Sequence, residues 1–189
     1  MTLTAETRLP AAGRPGTGPP SHGAGQPRTG GAPFADVMAA LASGVAVVTT
    51  GHPDLTPHGL LVSSLCSYSA DPPSLLVSVA ETSRSYPALT EGAAFGVHLL
   101  GRGDAALAAL FAGRGDKFAR LAWSWDGTVP RLAGHRAYLR CARAATFQHG
   151  DHAVVIGEVV HCEPDHDEPL VYYRRRLGWQ LTDPPPPVS

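Results

Sequence analysis

The chain has 189 residues, with 15 Lys+Arg against 16 Asp+Glu and a formal net charge of −1. This balance excludes the strongly basic surface typical of proteins that bind nucleic acid or anionic membranes. Its length corresponds to one domain, or to one domain with tails. No apolar run approaches the roughly 20 residues of a membrane span, and the first residues lack the apolar core of a signal peptide, so we expect a cytoplasmic protein.

Cysteine usage agrees with a reducing compartment. Cys66, Cys141 and Cys162 are odd in number and widely spaced, they form no CxxC pair, and each lies in an apolar run. We therefore expect three buried thiols rather than a disulfide framework.

Both ends of the chain are poor in large apolar side chains. Residues 1–31 are dense in Pro, Gly and Ser, and residues 182–189 read TDPPPPVS. Such segments bury too little apolar surface to offset their ordering entropy, so the composition predicts a disordered leader and a disordered tail. The folded domain is then predicted to span residues 32–181.

The elements of this domain can be predicted in chain order. An amphipathic helix is expected first, because Phe34, Val37, Met38 and Leu41 are at helical spacing and Gly44 ends the segment. Three β-rich runs follow: VAVVTT, HGLLVSSLCSYS and SLLVSVA. Next come a helix at SRSYPALTEG, a strand at AAFGVHLL and a helix at GDAALAALFAG. The C-terminal half returns to strands at AYLRCARAATFQH, HAVVIGEVVHCEP and PLVYYRRRLGWQL.

This order of elements indicates a mainly β fold. Strands outnumber helices and do not alternate with them, which argues against a doubly wound parallel sheet. Short connections favour antiparallel pairing. Closure removes the exposed edges that so many strands would create, so we predict a closed or nearly closed antiparallel barrel with peripheral helices.

Several common catalytic motifs are absent from the sequence. There is no P-loop, HExxH or GxSxG, and no GxGxxG in a strand–helix unit. The run HCEPDHDEP contains metal-capable side chains but lacks a matched second pair, so we interpret it as a solvated loop and predict no metal site.

Hydroxyl side chains recur through the first half of the domain. Taken singly, such residues are often the solvent face of a strand. The SRS run, however, leads into a predicted helix, and a helix N-terminus with free N–H groups favours an anion. Arg84, Arg114 and Lys117 offer countercharge, so a groove for a phosphate-bearing ligand is the alternative. The hydroxyl residues are Thr49, Thr50, Ser63, Ser64, Ser67, Ser69, Ser78, Ser83 and Ser85.

Two histidines flank a predicted hairpin turn in FQHGDHAVVIGEVV. Gly150 and Asp151 are typical turn residues between two valine-rich strands. His149 and His152 are then either polar turn residues or part of a site, and local spacing alone leaves both interpretations open.

Six motifs taken together carry a resemblance. In order they are GVAVVTT, GLLVSSLCSYSADPP, SRS, FAGRGDKF, GDHAVVIGEV and PLVYYRRRLG. Each is short, but the ordered set, over about residues 34 to 179, resembles the short-chain flavin reductases. The resemblance implies an FMN-binding split β-barrel of Greek-key type that forms a homodimer. It also implies that NADH or NADPH reduces FMN or FAD, and that the reduced flavin then leaves to serve a separate flavin-dependent monooxygenase.

The resemblance also implies site residues. The GLLVSS strand matches the strand that contacts the flavin ring, SRS matches the residues that hold the flavin phosphate, and DKF lies beside them. The implied cofactor-binding residues are Thr49, Leu61, Val62, Ser63, Ser64, Ser78, Ser83, Ser85, Lys117, Phe118, Tyr173 and Arg174. His152 matches the family histidine near the nicotinamide and is the catalytic candidate, whereas His149 is interpreted as a turn residue.

One motif departs from the family pattern. Relatives commonly read close to GMTANSFTSVS, so Leu61 replaces a Thr and Ser63 replaces an Asn. One polar side-chain contact to the flavin is then lost, although backbone contacts are kept. Three alternatives remain: a flavin-binding carrier or sensor, an oxidase that holds FMN tightly, and a small barrel without flavin that serves only for protein interaction. The sequence distinguishes neither FMN from FAD nor NADH from NADPH.

Overall fold

The computed structural model describes residues 32–52, 54–134, 137–165 and 167–182. The predicted leader, and all of the predicted tail except Thr182, lie outside these ranges. Among the helices of the described ranges, none combines the length and apolar character that crossing a bilayer requires.

Helices in the described ranges are short, and the first of them precedes the first strand. The three α-helices are α1 (Ala32–Met38), α2 (Tyr86–Glu91) and α3 (Ala105–Ala112). Single 3₁₀ turns occupy Arg102–Asp104 and Phe118–Arg120.

Strands make up about half of the described residues. They are β1 (Ser43–Gly44), β2 (Ala46–Gly51), β3 (Pro57–Val62), β4 (Cys66–Ala70), β5 (Pro73–Ala80), β6 (Ala94–Leu99), β7 (Trp123–Asp126), β8 (Val129–Leu132), β9 (Tyr138–His149), β10 (His152–Glu163), β11 (Val171–Tyr173) and β12 (Arg176–Trp179). Seven of them form one sheet in the order β3-β2-β6-β9-β10-β5-β4, and every neighbouring pair is antiparallel. The prediction of a mainly antiparallel β fold with peripheral helices is confirmed.

The connection between β3 and β4 shows that this sheet is curled. These two strands are the opposite edges of the sheet, yet only residues 63–65 join them. In a flat sheet seven strands wide, the edges would be roughly 29 Å apart at about 4.8 Å per strand. Four Cα–Cα steps span at most about 14 Å. The sheet must therefore bend until its edges lie close together, and because β3 and β4 do not pair in the described part of the chain, the barrel is split.

The core consists of two clusters on either side of β2. Val48 packs with Val77, Phe95 and Val155 inside the curled sheet. The outward-facing Val47 instead packs in a second cluster, formed with α3 and the segments near β8 and β11. Because β2 is covered on both faces, its sequence is an unbroken apolar and Thr run instead of an alternating one.

Three predicted elements differ from the structure. HGLLVSSLCSYS is two strands interrupted at residues 63–65, and the strand predicted at PLVYYRRRLGWQL is the hairpin β11–β12. The first helix ends at Met38, before Gly44, because residues 43–44 pair with β11 as β1.

The cysteines only partly match expectation. All three are free, and Cys141 is buried, but Cys66 and Cys162 are exposed, so the prediction that they are buried was wrong. Cys66 lies on the edge strand β4, most of whose residues are exposed, and Cys162 lies in the exposed second half of β10.

Candidate functional site

A cavity of about 700 Å³ lies where three segments of the chain meet. Its walls are the start of β3 with the preceding loop (residues 56–60), the turn before α2 (residues 82–85) and the loop after α3 (residues 113–118). The volume is within the roughly 300–1,000 Å³ of small-molecule sites. We name it the SRS–DKF cavity, because Ser83, Ser85, Lys117 and Phe118 line it.

Backbone bonds fix the wall that carries the two serines. The Ser83 amide donates to the carbonyl of Ala80 at 2.9 Å, and the Tyr86 amide donates to the carbonyl of Ser83 at 3.0 Å. The Ser83 hydroxyl accepts from the amide of Ser85 at 3.3 Å. Ser85 is buried and is the N-cap residue of α2. This turn, which leaves the end of β5, therefore has a defined shape before any ligand binds.

The opposite wall is a glycine-rich loop. Gly115 has a φ of +105°, a region that a residue with a Cβ rarely adopts. The Asp116 carboxylate accepts from the amides of Phe118 and Ala119, which starts the 3₁₀ turn. Arg84 reaches across from the serine turn and donates to the Gly115 carbonyl at 3.0 Å. The two walls are thus joined by an arginine side chain that lines the cavity.

Lys117 is held by the backbone of two other segments. Its Nζ donates to the carbonyl of Phe111 at 2.7 Å and to that of Gly59 at 3.1 Å. Burial, with a smaller contribution from the charge of Arg84, lowers the pKa of Lys117. An ammonium has three donors, so a third remains beyond these two bonds to meet a ligand in the cavity.

Aromatic packing closes the cavity beneath Lys117. Phe118 is 7% exposed and packs edge-on against Phe111 at 5.7 Å and Trp123 at 5.3 Å. Gly59 makes this arrangement possible, since a Cβ at that position would lie 2.6 Å from Cε1 of Phe111. Phe118 therefore lines the cavity as part of the second core cluster.

The charges around the cavity favour an anion. Arg84, Arg114 and Lys117 line it, together with His58. The carboxylate among the lining residues, that of Asp116, is bonded to backbone amides of its own loop. Guanidinium, ammonium and hydroxyl donors on converging walls are the groups that bind phosphate esters, so the donor set fits the phosphate of a flavin nucleotide.

His152 lies next to this cavity in the sheet but is not among its lining residues. Its Nδ1 is 2.8 Å from Oδ1 of Asp151, and the bond lowers the pKa of Asp151. His152 pairs with Ala80 of β5, three residues before Ser83. The hairpin turn therefore lies beside the serine wall, with the imidazole 48% exposed.

The serines near the β3–β4 connection interact with β5. The Ser64 hydroxyl donates to the carbonyl of Ser78 at 2.9 Å and accepts from its amide at 3.3 Å. Ser63 is exposed. Leu61 packs against the second core cluster and Val62 lies in the first, so their side chains belong to the core and their contribution to a ligand site would come from the backbone.

Three other cofactor candidates lie outside the SRS–DKF cavity. Thr49 is fully buried, and its hydroxyl donates to the carbonyl of Pro130 at 2.6 Å. Tyr173 and Arg174 belong to the β11–β12 hairpin, which forms a three-stranded sheet with β1, and the Arg174 Nε donates to the Tyr173 hydroxyl at 3.0 Å. Their roles toward a cofactor stay predictions.

The structure also identifies a lining residue that the sequence analysis missed. His58 lies at the start of β3, directly before Gly59, and faces the cavity with the three cations. Its position directly before the GLLVSS motif, which the resemblance assigns to the flavin, was a usable signal.

Metal ligands were not predicted, and the described residues show no group of three or more His, Cys, Asp or Glu side chains arranged to hold a metal ion. In the HCEPDHDEP run, His161 bonds Glu163 at 2.9 Å, while His166 lies outside the described residues.

Known proteins share both the sequence pattern and the fold. The family model described as "Flavin reductase like domain" matches residues 38–179. A flavin reductase (NADH) from Kitasatospora aureofaciens is 39% identical over 159 residues, which cover 80% of this chain and 83% of that protein. The reductase component of a 4-nitrophenol 4-monooxygenase/4-nitrocatechol 2-monooxygenase from Rhodococcus opacus is 36% identical, over 78% of this chain and 80% of its own.

A solved structure extends this similarity to three dimensions. The Streptomyces globisporus NADH:FAD oxidoreductase SgcE6, in complex with NAD and FAD fragments, superposes with a TM-score of 0.72. It is 28% identical and covers 79% of this chain and 92% of its own. Fold, cavity and comparisons together define a nucleotide-binding split-barrel protein. The chain belongs to the flavin reductase like domain family.

Proposed function

We propose that this protein is an NAD(P)H:flavin oxidoreductase that supplies reduced FMN or FAD to a separate flavin-dependent monooxygenase. The observation that carries the proposal is the SRS–DKF cavity, in which motif residues that the resemblance assigns to the flavin phosphate converge with three cations. The names of the relatives support it, since they include both an NADH-dependent flavin reductase and the reductase component of a monooxygenase.

The residues of the cavity would hold the nucleotide end of the flavin. Arg84, Arg114 and Lys117 neutralise the phosphate, and the hydroxyls of Ser83 and Ser85 add donors beside it. When bound, the flavin supplies the hydride acceptor, and the chemistry belongs to flavin and nicotinamide. The chain contributes orientation and exclusion of water, and no acid–base dyad is obligatory for hydride transfer.

His152 is proposed to position the nicotinamide. The Asp151 carboxylate holds Nδ1 of the imidazole, which leaves Nε2 for a contact with a ligand. The ring nitrogen that carries the proton is then set by the carboxylate, the usual way in which a histidine is oriented.

A homodimer is proposed as the assembled state. Large apolar side chains are exposed on the single chain, and soluble monomers rarely expose extended apolar patches. They include Phe34, Val37, Met38, Tyr68, Phe147, Val160 and Trp179. Light scattering after size-exclusion chromatography measures the mass directly. A cytoplasmic location is proposed because all three cysteines are free, as in a reducing compartment.

The activity is tested by mixing purified protein anaerobically with FMN or FAD and then with NADH or NADPH, and by following loss of the visible absorbance of oxidised flavin. Multiple turnovers of bleaching are expected, and the four combinations rank both substrates. Bound flavin that no nicotinamide bleaches would point instead to a carrier. Flavin that stays bound through gel filtration would point to an oxidase.

A further inference from the structure

His58 differs from Arg84, Arg114 and Lys117, the three cations of the SRS–DKF cavity, because the ordinary pKa of a histidine lies near neutral pH. It lies at the start of β3 and is partly buried, and it lines the cavity together with Arg84 and Lys117. Its ring centroid is 6.1 Å from that of His52. His52 is in turn 3.1 Å from the carboxylate of Asp54.

The surroundings of His58 disfavour its charged form in the chain alone. Burial, followed by the charge of His52 and then by that of Arg84, lowers its pKa, while Asp54 and a hydrogen bond with the Arg84 backbone act in the opposite direction. Lys117 and Arg114 add positive charge to the same cavity, and Asp116 adds a carboxylate that is bonded to its own loop. A phosphate placed among these cations would reverse the balance at the imidazole.

We infer that His58 is a further phosphate-binding residue of this cavity and takes up one proton from solvent when a flavin nucleotide binds. The inference rests on the proposed function, since that function supplies the phosphate. Nothing is oxidised or reduced in this step. The neutral imidazole takes one proton from solvent, and the resulting imidazolium donates a hydrogen bond to a phosphate oxygen. The consequence is a nucleotide affinity that depends on pH through one residue.

The direction of the pH dependence follows from the linkage between proton binding and nucleotide binding. The complex binds more protons than the chain alone, so affinity rises as pH falls from the higher pKa of the complex to the lower pKa of the chain. If binding raises the pKa of His58 by about one unit, affinity changes about tenfold across that window. The phosphate itself loses its second charge near pH ~6, which acts in the opposite direction, so the contribution of His58 is the difference between wild type and variant.

The experiment measures FMN and riboflavin binding by quenching of flavin fluorescence, without nicotinamide, from about one unit below to two units above the ordinary histidine pKa of ~6.5. Riboflavin has the same ring without the phosphate. We expect His58→Gln to lower FMN affinity about tenfold at the acid end only and to leave riboflavin affinity unchanged. His58→Lys, with a permanent cation, should keep high FMN affinity across the range. His149→Gln, in the exposed hairpin turn, is the matched control and should behave as wild type.

The outcomes separate this inference from the proposed function. If His58→Gln keeps both the wild-type preference for FMN over riboflavin and its pH dependence, the role of His58 is overturned, even if NADH still bleaches flavin. If the protein binds FMN no more tightly than riboflavin at any pH, the phosphate cavity and the role of His58 both fail. Equal losses of FMN and riboflavin affinity in His58→Gln would show a structural role and would also overturn the inference.

Discussion

Gly59 offers a sharp test of how the core shapes the cavity. In a Gly59→Ala variant, the new Cβ would lie 2.6 Å from Cε1 of Phe111 and 3.3 Å from Cζ of Phe118. Ordinary carbon contacts are about 3.5–4.0 Å, so the first overlap is about 1 Å. Both rings are buried, with exposures of 2% and 7%, and have little room to move.

The expected loss of stability is moderate. Overpacking of a well-packed core costs about 1–3 kcal/mol. Replacing a strand glycine by alanine recovers about 0.5–1 kcal/mol by restricting the unfolded chain. The free energy of unfolding should therefore fall by about 1.3 kcal/mol from the midpoints of these two ranges, and by no more than about 2.5 kcal/mol. The Lys117 ammonium, which donates to the Gly59 carbonyl, should shift with the rings and weaken FMN binding.

Urea denaturation followed by tryptophan fluorescence measures the change. Gly44→Ala is the matched control, because no atom lies within 4 Å of a Cβ there, and its stability should stay within about 0.5 kcal/mol of wild type. The double variant Gly59→Ala/Phe111→Leu should lose less stability than the sum of the two single variants, because the smaller leucine side chain relieves the overlap with the new Cβ. A Gly59→Ala protein as stable as wild type, with an unchanged m-value, would refute the packing argument.

Other predictions follow from single side chains. His152→Ala should reduce the rate of flavin reduction by NADH while flavin affinity stays within about twofold, and an unchanged rate would remove the proposed role. Thr49→Val should lower stability by about 1 kcal/mol by leaving the Pro130 carbonyl without its donor, while a loss of FMN affinity at unchanged stability would instead support the cofactor contact implied by the resemblance. Burial raises the pKa of the Cys141 thiol to about 12, so a thiol reagent should modify the other two cysteines in native protein and Cys141 only after unfolding; rapid reaction of all three under native conditions would contradict this.

The sequence predicted the strands well where alternation and turn residues agreed. In β5, burial alternates along the strand, and Gly150 at the β9–β10 turn has the positive φ that such a turn requires. The β11–β12 hairpin was missed because Arg174 and Arg175 occupy the turn with φ of 47° and 61°. Glycine, asparagine and aspartate are the residues that signal such a conformation, so two arginines gave no cue.

The sequence predicted only part of the site, because spacing along the chain does not show which distant residues meet. Ser83 and Lys117 are 34 positions apart in the sequence, and only the family motifs linked them before the structure brought them to one cavity. Thr49 looked like a polar residue available to a ligand, but β2 is covered on both faces and its hydroxyl points to Pro130. Periodicity does not reveal which hydroxyls bond to distant backbone carbonyls.

The kinetics of a Lys117→Gln variant test most directly whether the SRS–DKF cavity holds the flavin phosphate. Initial rates of anaerobic flavin reduction by NADH would be measured against FMN and against riboflavin, for wild type and variant. We predict that the variant's KM for FMN rises about tenfold, the size of one lost charge-assisted contact, while its kinetics with riboflavin stay near wild type. Equal changes with both flavins, or none with FMN, would contradict the placement of the flavin phosphate beside Lys117.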